Sequence, residues 1–167
     1  MRRFQRSTVI DAPRELVWAF HEQADVLEQL TPPWLPVEVV RREGGLGPGA
    51  VSEFRLWLGP VPIRWVATHN DDYEPGRCFC DRQSQGPFAD WLHRHIFSRE
   101  GDRTRLIDEV EYALPGGWLP ELSVCPVVDA QLERLFAYRQ QVTKQWCESR
   151  RDAFLQSNRT TKGLQSL

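Results

Sequence analysis

Phe88-Ala-Asp-Trp-Leu-His-Arg-His-Ile-Phe-Ser98 and Thr104-Arg-Leu-Ile-Asp-Glu-Val-Glu-Tyr-Ala-Leu114 decide how this chain folds. Both runs are rich in β-branched and aromatic residues, and Glu100-Gly-Asp102 between them supplies a turn. They predict an antiparallel hairpin centred near Gly101, pairing His95 with Asp108, His93 with Val110 and Trp91 with Tyr112. Side chains alternate across a strand, so Trp91, His93, His95, Phe97, Leu106, Asp108, Val110 and Tyr112 share one face. Leu92, Arg94, Ile96, Arg105, Ile107, Glu109 and Glu111 share the other. The first set is aromatic and apolar and is expected to face inward. A one-residue slip would change the partners but not the alternation within either strand.

Upstream, Phe4 to Ile10 reads as a strand. Asp11-Ala-Pro-Arg-Glu15 then opens a helix, with Asp11 as its cap and Pro13 in its first turn. A second short helix is expected from about Ala24 to Leu30, stopped by the prolines of Thr31-Pro-Pro-Trp-Leu-Pro36. Strands follow at Val37 to Glu43, Ala50 to Leu58, Val61 to His69 and Arg77 to Gln83, separated by turn residues. This is the pattern of an antiparallel meander.

Downstream, Pro115-Gly-Gly117 ends the sheet, and a helical period runs from Pro126 to about Gln156. At about 100° per residue, Val128, Leu132, Leu135, Phe136, Val142, Trp146, Ala153 and Phe154 fall on one side. Glu133, Arg134, Gln140, Gln141, Lys144, Glu148 and Arg151 fall on the other. A helix so long and amphipathic needs a broad partner, and only the sheet is available. Residues 1–157 are therefore expected to form one α+β domain, and residues 158–167 a disordered tail.

Composition narrows the function classes. The chain has 167 residues, 41% hydrophobic and 26% charged, enough for one domain with a full core. A formal charge of −2 gives no electrostatic case for nucleic acid or an acidic membrane. The N-terminal Met-Arg-Arg-Phe-Gln-Arg6 is too polar for a signal peptide, and no run is long enough to span a bilayer. Cys78, Cys80, Cys125 and Cys147 form no C-x-x-C pair and are read as reduced thiols. These features suggest a cytoplasmic location. Seven Trp and eight Phe beside a single Met suggest a rigid aromatic interior.

Three stretches carry a family resemblance: Leu30-Thr-Pro-Pro-Trp-Leu35, Gly86 to His95 continuing at Thr104 to Tyr112, and Leu132-Glu-Arg-Leu-Phe-Ala-Tyr-Arg139. With the element order, they resemble the START-like or SRPBCC superfamily. The chain looks closest to small bacterial ligand-binding domains related to polyketide cyclase/dehydrases, over about residues 4 to 150. The resemblance implies a helix-grip fold: a seven-stranded curved antiparallel sheet wrapped around a long C-terminal helix, with two short helices after the first strand. It implies a pocket between sheet and helix, not a chemistry, and carries over no catalytic residue set.

The hairpin places His93, His95 and Asp108 in an apolar interior. A His95–Asp108 hydrogen bond across the strands would satisfy both, since an unpaired buried polar group costs about 1–3 kcal/mol. Such a pair either only satisfies itself or lets an imidazole contact a ligand oxygen or move a proton. Arg139 projects near the centre of the helix's apolar stripe. It is expected to pair with Asp108 or another strand carboxylate, to escape to the helix edge, or to hold a ligand carboxylate or phenolate. The candidate ligand-binding set is His93, His95, Asp108, Arg139, Trp91, Tyr112 and Trp146, with Trp34 and Trp118 at the pocket mouth. Trp57, Trp65 and Trp146 also read as walls or packing, and His21 and His69 as surface residues.

His93-x-His95 with Asp108 opposite is a conceivable three-ligand metal set, but the spacing has low specificity. No metal or cofactor is assigned. The leading reading is a binder of a small hydrophobic molecule, lipid-like or aromatic. The alternatives are a cyclase/dehydrase-like enzyme with His95 and Asp108 as acid and base, and a protein-interaction module with a filled core.

Overall fold

The computed structural model describes residues 1–58, 60–116 and 124–164. Period-two alternation of apolar and polar residues builds seven strands. They are β1 (Arg2–Ile10), β2 (Val37–Glu43), β3 (Val51–Leu58), β4 (Val61–His69), β5 (Cys78–Gln85), β6 (Asp90–Glu100) and β7 (Arg103–Ala113). All neighbours are antiparallel, in the order β1-β7-β6-β5-β4-β3-β2. The run from β2 to β7 is a meander. β1 pairs with β7 from Arg2↔Tyr112 to Ile10↔Thr104, so the first and second strands occupy opposite edges. The expected hairpin register holds: His95 faces Asp108, His93 faces Val110 and Trp91 faces Tyr112. Gly101 closes the turn at φ 63°, a conformation that costs glycine little.

Two short helices, α1 (Arg14–His21) and α2 (Val26–Gln29), carry the chain from β1 to β2. Asp11 does not cap α1. Pro13 is the residue at the cap, without a side-chain bond, and its carbonyl accepts from Leu16 N and Val17 N at 3.0 and 3.2 Å. Asp11 instead meets the last helix, its backbone N–H donating to Glu148 Oε1 at 2.8 Å and Oδ2 accepting from Arg151 at 3.2 Å.

The last helix, α3 (Cys125–Leu164), runs past the Gln156 expected from periodicity. It lies along β1 and α1. Its inward residues are Leu132, Phe136, Gln140, Thr143 and Cys147, all buried, at the three-and-four spacing of one helix face. The expected stripe was therefore mis-centred. Gln140, placed on the outer side by the projection, points into the core, because a buried acceptor on β7 repays its polarity.

Two apolar clusters fill the space under the helix. One joins α1 to the sheet through Leu16, Val17, Trp18, Phe20, Phe79, Phe97 and Cys147. The other centres on Trp65, Trp91, Val110, Tyr112, Leu132 and Phe136. Fully burying one such aliphatic or aromatic side chain stabilises by about 1.5–3 kcal/mol. The outer face of β6 and β7 carries ion pairs, among them Arg94 with Asp72 and Glu109. All four cysteines are free thiols; Cys80, Cys125 and Cys147 are buried and Cys78 is half-buried. Among the described residues, no helix is long and apolar enough to cross a membrane.

Candidate functional site

The site grows from the alternation of three neighbouring strands. On β6 the inward positions bring Trp91, His93 and His95 under the helix, and on β7 they bring Asp108 beside both imidazoles. His93 Nε2 and His95 Nδ1 each lie 3.1 Å from the same carboxylate oxygen, Asp108 Oδ1. The His93 contact is a well-formed hydrogen bond, whereas His95 Nδ1 meets the carboxylate off-axis. Asp108 Oδ2 accepts from Gln140 Nε2 at 2.8 Å, and Gln140 also donates to the Arg6 carbonyl at 3.1 Å. One buried carboxylate thus ties β6, β7 and α3 together.

A second carboxylate completes the group. Asp81 on β5 stands opposite His93 in the β5–β6 ladder. Its Oδ2 lies 3.6 Å from His93 Nδ1 and 3.8 Å from His95 Nε2. Rings hold the imidazoles in place: the two stand 3.8 Å apart, Phe79 stacks on His95 at 4.1 Å, and Phe136 meets His93 edge-on at 5.0 Å.

Burial sets the charge states. Desolvation lowers the pKa of His93 and brings that of His95 down to about 4, so both rings are neutral at pH 7. Burial works to raise the Asp108 pKa, but the two adjacent histidines outweigh it and hold the carboxyl well below the ordinary range. Asp81 is pushed up by desolvation, against the pull of His95, His69 and Arg139. Two neutral imidazoles between an ionised carboxylate and a carboxyl with a raised pKa can orient a polar atom or pass a proton.

Arg139 is half-buried. Its Nε donates to the Leu30 carbonyl at 3.3 Å and its guanidinium lies 5.7 Å from the Phe136 ring centre. Among the described residues no carboxylate comes within 4.0 Å of it, so the expected ion pair with Asp108 does not form. Desolvation pushes its pKa down, against the more distant pull of Asp108 and Asp81.

The remaining expected residues divide. Trp91 lies 6.5 Å from His93, and Tyr112 is buried beside Trp91, its hydroxyl donating to Asp129 Oδ1 at 2.7 Å. Trp146 belongs to the other cluster, packed against Phe20 at 5.0 Å. Trp34 is 46% exposed and leans on Tyr138 at 5.4 Å, away from the imidazoles. Trp118 lies outside the described residues.

The description "Polyketide cyclase / dehydrase and lipid transport" matches residues 10–137, most of the chain. The chain belongs to this family. Solved structures agree with the family's SRPBCC architecture. The Zhui aromatase/cyclase from Streptomyces sp. R1128 has 18% identity and a TM-score of 0.70, covering 89% of this chain and 94% of that one. Norcoclaurine synthase from Thalictrum flavum, in complex with dopamine and hydroxybenzaldehyde, has 14% identity and a TM-score of 0.63, covering 88% and 87%. A nucleoside-diphosphate sugar epimerase from Corynebacterium glutamicum has 27% identity and a TM-score of 0.66, covering 85% of this chain but only 28% of that longer one. No curated protein matches the chain.

Within this polyketide cyclase/dehydrase family member, four residues around the imidazoles were not legible in the sequence pattern. Asp81 shares a strand face with Phe79, a signal that the Cys-Phe-Cys-Asp alternation carries, but its partner strand was not registered. Gln140 was lost to the mis-centred helix stripe. His21 and His69, expected at the surface, are both buried. His21 Nδ1 bonds to the Val17 carbonyl at 2.8 Å and its ring lies 5.9 Å from His95. His69 Nδ1 bonds to the Leu46 carbonyl at 2.8 Å and stacks on Phe79. Local backbone acceptors make these burials affordable, and a hydropathy pattern does not show them.

Two clefts open on the outside of the molecule, of about 320 and 510 Å³; the walls of the first include Arg14, Arg99 and Arg151, and those of the second Arg77, Arg94 and Arg99. Neither touches His93, His95, Asp108 or Arg139, so the pocket expected between sheet and helix is not one of them. On the inner face of β3 and β4, Phe54 and Leu56 are only partly buried against the cluster that holds Trp65 and Phe136.

Proposed function

We propose that this chain binds a small hydrophobic molecule, aromatic or lipid-like, between the sheet and α3, with an anionic or phenolic oxygen of that molecule held by Arg139. The observation that carries the reading is a desolvated guanidinium that, among the described residues, hydrogen-bonds to the Leu30 carbonyl at 3.3 Å and meets no carboxylate. A cation withdrawn from water needs a counter-charge, and a ligand carboxylate or phenolate would supply it. The partly buried Phe54, Leu56 and Phe88 beside Trp65 would give the molecule its apolar wall. His93 and Trp91 would then lie along the same wall.

The neutral His95 ring against an ionised Asp108 supports a second reading, a cyclase-like enzyme in which His95 moves a proton and Asp108 orients it. The family's description covers both kinds of role.

Native mass spectrometry of the purified chain tests the first reading, followed by thermal shift with aromatic carboxylic acids, phenols and fatty acids. A binder gains stability with its ligand in proportion to the logarithm of concentration. Arg139→Gln is expected to weaken binding of the anionic members by roughly tenfold or more and to leave neutral analogues unchanged. Equal loss for charged and neutral ligands would reject the anchoring role.

A further inference from the structure

Asp81, His93 and His95 come from two adjacent strands, and one donor atom of each points into a common space. We propose that Asp81 Oδ2, His93 Nδ1 and His95 Nε2 bind one divalent transition-metal cation, Zn²⁺ fitting best, with a fourth position left open.

The three atoms lie within 4.8 Å of one another, with Asp81 Oδ2 at 3.6 Å from His93 Nδ1 and 3.8 Å from His95 Nε2. Ligands at about 2.0–2.1 Å in a tetrahedral shell stand about 3.3 Å apart, so the two Asp81 contacts need to close by only a few tenths of an ångström.

The outer shell is already in place. The far nitrogen of each ring, His93 Nε2 and His95 Nδ1, lies 3.1 Å from Asp108 Oδ1. With His93 Nε2–H donating to Asp108 Oδ1, the His93 Nδ1 that faces Asp81 carries a lone pair, and the Nδ1–H tautomer of His95 leaves its Nε2 free toward Asp81. This is the carboxylate–histidine–metal arrangement that fixes a ligand tautomer and raises its basicity. Gln140 steadies the carboxylate from the other side at 2.8 Å. Phe79 and Phe136 restrict rotation of the two rings.

Without a cation the inner space is badly matched. Lone pairs of the three groups face one another, and the Asp81 side chain accepts no hydrogen bond among the described residues, the nearest ring nitrogens lying at 3.6 and 3.8 Å. A half-buried carboxylate facing two imidazole lone pairs is stabilised by a positive partner. Two imidazoles and one carboxylate suit Zn²⁺, Co²⁺ or Fe²⁺ and not the all-oxygen preference of Mg²⁺ or Ca²⁺. The site does not depend on which hydrophobic molecule the chain binds.

The test uses the full chain freed of metal with a chelator. Zn²⁺ is titrated calorimetrically, and Co²⁺ is followed by its visible d–d absorption. One equivalent is expected to bind, with a tetrahedral cobalt spectrum and a rise in melting temperature with Zn²⁺. Asp108→Asn, which keeps the shape of the outer shell, is expected to lower affinity roughly 10–100-fold. Asp81→Asn, which removes a ligand and keeps the size of the side chain, is expected to lower it further. Cys78→Ser should leave the titration unchanged. Circular dichroism confirms that each variant is folded. Absence of saturable Zn²⁺ binding, full affinity in folded Asp81→Asn, or equal affinity for Mg²⁺ would overturn the proposal.

Discussion

His95 sits directly across the β6–β7 ladder from Asp108, and its Nδ1 lies 3.1 Å from the carboxylate oxygen that His93 also contacts. One buried carboxylate therefore neutralises the polarity of two imidazoles and one helix amide at once. Removing it leaves several buried groups without a partner.

Asp108→Ala is accordingly expected to destabilise the fold by roughly 2–6 kcal/mol, since it leaves the buried His93 and Gln140 donors without their acceptor at about 1–3 kcal/mol each. Gln140→Leu, which removes one donor and leaves both histidine contacts, should cost only about 1–2 kcal/mol. Urea unfolding of the two variants beside the parent checks the ranking, and equal losses would contradict it.

Acid should destabilise the metal-free protein well above the carboxylate range. Burial, and for each ring the charge of a neighbouring histidine, bring His21 and His95 down to about 4 from an ordinary 6.5. Between those values the unfolded chain binds protons that the folded chain refuses. Stability is then full above pH 6.5 and falls as pH drops toward 4, by roughly a few kcal/mol for each ring. Asp81, whose pKa is raised by burial, offsets part of this loss. Asp108, held low, adds its own loss only at more acid pH. Urea midpoints at pH 7, 5.5 and 4.5 measure the slope, and His21→Gln should make it shallower.

The hydrophobic centre and the rim should respond very differently. Phe136 is 1% exposed and touches both Phe4 and His93. Phe136→Ala should cost about 3–5 kcal/mol through lost transfer energy and the cavity left behind. Trp34 is 46% exposed, and Trp34→Ala should cost less than about 1 kcal/mol. Thermal unfolding of both variants decides the matter.

Arg139 should trade stability for binding. Its desolvated guanidinium has no carboxylate within 4.0 Å among the described residues. Arg139→Leu is expected to leave stability unchanged or raise it by about 1 kcal/mol while abolishing binding of anionic ligands. A loss above about 1 kcal/mol would show that the guanidinium holds the fold together rather than waiting for a ligand.

Much of this was legible before any coordinates. Alternation in Trp91 to Tyr112 gave the hairpin register and placed both histidines and Asp108 on one inward face, because a strand leaves only two faces and one was plainly aromatic. The helix was harder. Its apolar residues form a broad stripe, and buried Gln140 and Thr143 look like solvent-facing positions until the acceptors they meet are known.

The amino-acid order alone determined the strands, the long helix, the β6–β7 pairing and the polar group on its inner face, since these follow from local periodicity and turn chemistry. Only the tertiary structure decided that Asp81 meets the two imidazoles, that Gln140 and His21 are buried, and that Arg139 lies apart from Asp108. Those outcomes depend on how β5 registers on β6 and how α3 rotates over β1. Both are set by packing across the whole core, which no window of sequence contains.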